Sequence, residues 1–244
     1  MSIIRFTFRF IKISIAGRLS GLLLFGLLAA APLRAQVNGE DKLGAWYMYF
    51  GTNRVAENWS LHTEAQFRYY ETTGSFNQLL LRTGANYHLS PEAIVTLGYG
   101  YIDTDPTYAS DENLQNKITE HRIFEQFILK NTVGRMAFEH RYRLEQRFLD
   151  FDGPTDTQHR ARYRLQLTYP LGKVLFLNAY DEVFLNLQNQ VFGQNRLYFA
   201  LGAKLSPVLS IQAGYLKNHF PAAHYDRLQL AVFFNPDLRR KEAD

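Results

Sequence analysis

The feature that most constrains this chain is strict alternation of side-chain type. Over 135–148 one parity reads Met136, Phe138, His140, Tyr142, Leu144, Gln146, Phe148, and the other reads Arg135, Ala137, Glu139, Arg141, Arg143, Glu145, Arg147. Residues i and i+2 share a face only in an extended strand, so this segment is a ribbon with one largely apolar and one charged wall. The pattern returns at 59–70, where Trp59, Leu61, Thr63, Ala65, Phe67 and Tyr69 oppose Ser60, His62, Glu64, Gln66, Arg68 and Tyr70. It returns again at 159–169, with His159, Ala161, Tyr163, Leu165, Leu167 and Tyr169 against Arg160, Arg162, Arg164, Gln166 and Thr168. Further candidate strands are 43–51, 76–88, 93–103, 118–129, 174–185, 195–205, 208–217 and 225–234. Residues 36–244 hold nothing near 18 continuous apolar residues, which excludes membrane-spanning helices.

Connections alternate in length. Short turns are expected at 52–57, 89–92, 130–134, 170–173 and 206–207, and generally longer polar connections at 71–75, 104–117, 149–157, 186–194 and 218–224. That rhythm describes an up-and-down antiparallel meander. Strands of about 9–14 residues exceed the usual 5–6 of a soluble sheet and match a tilted strand crossing a bilayer. A soluble barrel would turn the apolar parity inward and a membrane barrel would turn it outward, so periodicity alone leaves both open. Aromatics favour the membrane: Trp46, Trp59, Tyr69, Tyr87, Tyr99, Tyr101, Tyr142, Phe148, Tyr163, Tyr169 and Tyr215 gather toward strand ends, where interfacial girdles sit. Eleven candidates is an odd number, whereas bacterial single-chain barrels are even. The expectation is therefore ten or twelve strands, with one missed near Gln36–Lys42 or 43–51 lying outside the wall.

The formal charge is +4, yet residues 1–35 carry Arg5, Arg9, Lys12, Arg18 and Arg34 with no acid. Removing those five charges leaves −1 for 36–244, so a basic nucleic-acid-binding surface is not expected. The basic start, the apolar run Gly21–Ala31 and small Ala35 have the order of a secretory signal peptide. We expect residues 1–35 to be that signal, 36–234 an outer-membrane barrel and 235–244 a polar tail, its end Arg239–Asp244 disordered. There is no cysteine, which excludes thiolate metal sites and cysteine nucleophiles.

The chain resembles the domain of unknown function 2490 family of outer-membrane barrels. The resemblance is carried by Gly44-Ala45-Trp46, Glu120-His121-Arg122, the run His140–Phe148, Asp181-Glu182-Val183-Phe184 and Asn195-Arg196-Leu197. It spans about 43–234 and implies an outer-membrane barrel without naming an activity.

Candidate functional residues lie on the polar parity: Glu64, Arg68, Arg82, Glu120, Arg122, Glu139, Arg141, Arg143, Glu145, Arg147, Arg160, Arg162, Arg164, Glu182 and Arg196. If 135–148 and 158–169 are neighbours, their arginine rows face one space and need interleaved carboxylates or anions. Two readings follow: an anion-attracting lumen, or an internal salt-bridge network filling a small barrel. Narrow strand number favours the network. Asp181 falls on the apolar parity beside Leu175, Leu177 and Val183, which calls for a bulge or a rim position.

Catalysis finds little support. None of Ser60, Ser75, Ser90, Ser110, Ser206 and Ser210 sits in a Gly-x-Ser-x-Gly elbow, and His140 and His159 share their strands with no serine. The acidic segments 103–113 and 150–156 lack calcium-loop spacing and read as surface loops. The expectation is an all-β, non-enzymatic outer-membrane barrel, a narrow channel or a ligand-binding barrel. Its partners would be outer-membrane lipid and a small anionic solute, with no nucleic acid, cofactor or metal. A lipid hydrolase and a secreted soluble barrel are the alternatives.

Overall fold

The computed structural model describes residues 39–108, 117–151, 153–188 and 190–239, and the expected signal segment lies outside them. Eleven strands close into one barrel. They are β1 (Gly44–Arg54), β2 (Trp59–Tyr69), β3 (Phe76–His88), β4 (Ala93–Thr104), β5 (Ile118–Val133), β6 (Met136–Asp150), β7 (Asp156–Pro170), β8 (Leu175–Asn186), β9 (Phe192–Lys204), β10 (Leu209–His219) and β11 (His224–Phe234). Sequence neighbours pair antiparallel, and β1 meets β11 in parallel, from Gly44 opposite Arg227 to Gly51 opposite Phe234. The expectation of ten or twelve strands is corrected. Segment 43–51 belongs to the wall as β1, and closure is parallel because β1 and β11 both start at the rim of the longer connections.

A second correction concerns 130–134, expected to be a turn. Lys130–Val133 continue β5 and pair with Met136–Glu139. The turn shrinks to two residues because Gly134 adopts φ 60°, a left-handed conformation suited to tight hairpins.

The apolar parity faces outward. Leu97 is 62% exposed and Phe199 57%, whereas Arg143 is 3% exposed and Glu145 1%. This wall is inverted relative to a soluble protein, and a soluble barrel would need the opposite. Asp181 stays on the outer face, opposite Leu165 and Leu197, because the register shift falls later, between Phe184 and Leu185. Asn195 Nδ2 donates to its carboxylate at 2.7 Å. The polar pairing, not a bulge or a rim, accommodates it.

Trp46 is corrected as well. It shares its face with Arg68 and Gln229, is buried, and packs inside with Tyr198, Ala200 and Leu216. The interior is thus not uniformly polar. Phe124 and Phe184 are also buried within it. Phe124 lies opposite Gly98 and Phe176 opposite Gly202, and a Cβ on either glycine would collide with the facing ring. Glycine there lets an aromatic ring lie across the neighbouring strand.

The described part of the tail, 235–239, is tied to β1. Arg54 N–H donates to Pro236 at 2.9 Å, Leu238 N–H donates to Arg54 at 2.8 Å, and Thr52 N–H donates to Asn235 Oδ1 at 3.0 Å. These bonds satisfy the free edge left at the end of β1. The Arg239 guanidinium beside Asp237 holds its carboxyl down to about 2. Residues 240–244 lie outside the described set.

Candidate functional site: an arginine-rich barrel interior

All fifteen polar-parity candidates lie on the inner face. Register decides this: Glu64 is opposite Arg82, Arg122 opposite Arg147, Arg143 opposite Arg162, Arg141 opposite Arg164, and Glu182 opposite both Arg164 and Arg196. Like charges directly opposite destabilise a sheet unless countercharge intervenes. Here glutamates intervene.

Glu145 on β6 is the hub. Its carboxylate accepts from Arg160 Nη2 and Arg162 Nη1 at 2.6 Å, with Arg122 Nη1 at 3.5 Å and Arg143 Nη1 at 3.7 Å. Glu182 on β8 accepts from Arg141 and Arg162, both at 2.7 Å. Glu120 on β5 binds Arg122 at 2.5 Å and Arg147 at 2.8 Å. Nearer the short-turn rim, Glu139 binds Arg164 at 2.6 Å. On β2 and β3, Glu64 binds Arg82 at 2.7 Å and His62 at 3.2 Å. The chain Glu120–Arg122–Glu145–Arg162–Glu182–Arg141 is continuous, with Arg162 as the bridge.

Ten of the fifteen residues are arginines and five are glutamates, leaving an excess of five positive charges. Aromatic rings carry part of the load. Phe184 receives Arg162 at 4.1 Å, Arg196 at 4.6 Å and Arg160 at 5.3 Å, and Phe124 receives Arg143 at 4.7 Å. Arg68 and Arg196 have no ion pair among the described residues. Both stack on Trp46, at 3.9 and 4.9 Å. Arg68 donates only to amide oxygens, Gln66 Oε1 at 2.6 and 3.0 Å and Gln78 Oε1 at 2.6 Å.

A second polar row crosses from β6 to β2. Arg143 donates to Gln126 Oε1, Thr96 Oγ1 to Asn86 Oδ1 at 2.7 Å, and Asn86 Nδ2 to Ser60 Oγ at 3.1 Å. A 3.5 Å contact from Gln126 Nε2 to Thr96 Oγ1 joins the two halves. Ser60 Oγ then lies 2.8 Å from His88 Nε2. Ser60 Oγ accepts from Asn86, and the direction of its contact with the imidazole follows the His88 tautomer. This serine–histidine pair joins two strands, so considering serines and histidines within single strands missed it. Ser60 is 2% exposed, and no carboxylate orients His88 among the described residues. The pair ends a hydrogen-bond chain rather than presenting an accessible nucleophile.

On the outer wall, Trp59, Val95, Leu97, Phe127, Leu144 and Tyr163 line a shallow apolar cleft of about 830 Å³. Its polar point is Glu125, whose Oε2 accepts from Gln146 Nε2 at 3.2 Å. Two histidines of this wall pair with phenols: His140 Nδ1 lies 2.9 Å from Tyr163 Oη and His121 Nδ1 2.5 Å from Tyr99 Oη, whereas His159, on the same wall, has no such contact among the described residues. The expected loop segments 103–113 and 150–156 fall partly outside the described residues.

Alternation, closure and an inward charged network define a porin-like β-barrel. The porin NanC, solved in a rhombohedral crystal form, is similar in fold: TM-score 0.50 at 12% identity, over 79% of this chain and 98% of that one. The model of the family described as "Protein of unknown function (DUF2490)" matches residues 43–229, and the chain belongs to that family. No curated protein matches the sequence.

Proposed function

We propose that this protein is a non-enzymatic outer-membrane barrel whose interior forms a narrow, anion-selecting passage. The carrying observation is the interior charge excess: among the fifteen polar-parity residues, ten guanidinium groups face five carboxylates behind an apolar wall. A buried charge without a partner costs several kcal/mol, so the surplus favours anions entering from solvent. The exposed apolar face supports lipid as the surrounding medium, since only a closed barrel satisfies strand backbones there. Similarity to a porin supports the passage reading, as does the signal-like leader.

Many inward side chains are buried against one another, so the expected conductance is small. In planar bilayers under a potassium chloride gradient, the reversal potential should lie on the chloride side. Replacing Arg143 and Arg162 together by glutamine should move it toward zero. Cation selectivity, or no conductance from barrels with native gel mobility, would overturn the reading.

A further inference from the structure

Arg196 is the unusual member of the network. Glu182 stands directly opposite it, yet Glu182 Oε1 is occupied by Arg141 and Arg162. Arg196 forms no ion pair or hydrogen bond among the described residues, and its Nε is buried without a partner. Its guanidinium packs on Trp46 and Phe184, at 4.9 and 4.6 Å, and feels the Glu182 carboxylate through space without bonding to it. Aromatic faces stabilise the cation but are no substitute for hydrogen-bond acceptors, so the buried Nε remains to be satisfied.

Two more unsatisfied groups stand on neighbouring strands, one opposite this indole and one opposite this guanidinium. Gln229 lies opposite Trp46, is 2% exposed, and has an unpartnered Nε2. Asn218 lies opposite Arg196, is 5% exposed, and has an unpartnered Oδ1. Natural interiors rarely leave such groups unpaired, so those opposite Trp46 and Arg196, with the buried Nε of Arg196 itself, point to a bound partner. Across the ring, Arg68 adds positive potential without a carboxylate of its own.

We propose that Arg196, Gln229 and the face of Trp46 bind one small organic carboxylate monoanion. The guanidinium fork suits two carboxylate oxygens, and the Gln229 amide offers a further donor. Trp46 supplies an apolar surface for the remainder of the molecule. Glu182, directly opposite Arg196, disfavours a second negative charge, which sets a monoanion above a dianion. The site rests on the anion-passage reading and gives that passage one defined stopping point.

The chain has two tryptophans, so the Trp59→Phe variant leaves Trp46 as the only indole. In zwitterionic detergent, iodide should quench its fluorescence saturably, caesium should not, and acetate should reverse the iodide effect competitively. Arg196→Gln should weaken both anions at least tenfold. Gln229→Leu, which retains side-chain bulk, should weaken acetate more than iodide; it provides a second measure if Arg196→Gln does not fold. Non-saturating quenching that is equal in all variants, or no competition by acetate, would overturn the site. If conductance nonetheless remains anion-selective, only the site fails. If selectivity is absent too, the passage reading fails with it.

Discussion

Glu145 is 1% exposed and has four guanidinium groups within 3.7 Å, so its charge offsets more repulsion than any other in the interior. Glu145→Gln keeps the shape and removes the charge. Breaking a buried network in this way costs about 3–5 kcal/mol. Glu139, whose side chain is 22% exposed, has one arginine partner. Glu139→Gln should cost about 1 kcal/mol or less. Denaturant midpoints of the barrel in vesicles would rank the two, and equal losses would contradict the hub. The Glu145 result was partly legible in sequence: parity placed Arg141, Arg143, Arg160 and Arg162 on one wall with Glu145 among them. Parity gave no information on which carboxylate each arginine reaches, because long side chains cross between strands that only the closed sheet brings near.

Among the elements, β1 departs most from the simple pattern. Tyr47 and Tyr49 alternate with Trp46, Met48 and Phe50, so both parities are apolar and neither is marked as inner. Register resolves it, since Trp46 is opposite Arg68 and Phe50 opposite Glu64. The parallel seam also lies here, and parallel pairs are slightly less stable per residue than antiparallel ones. With no native cysteine, the seam can be tested cleanly. Tyr49→Cys with Val232→Cys places two outward thiols on directly paired positions. A disulfide should form on mild oxidation and alter gel mobility. If Tyr49→Cys with Ala65→Cys cross-links across β1 and β2 while the seam pair does not, another strand intervenes between β1 and β11.

For the whole molecule, an odd strand count puts the two ends of the wall at opposite rims. β1 begins among the longer connections and β11 ends among the short turns. In outer-membrane barrels the longer loops face outward. An epitope inserted immediately before Gly39 should therefore react with antibody on intact cells, while one placed after Arg239 should react only after permeabilisation. Equal protection of both would contradict this topology. By itself, the sequence determined the all-β class, the approximate strand positions and the charged parity, because alternation in an extended chain fixes which side chains share a face. Only the tertiary structure decided the parallel closure, the inward turn of Trp46, the Ser60–His88 contact and the isolation of Arg196. Each depends on which strands become neighbours and what lies across the interior, and a two-residue period carries no information about either.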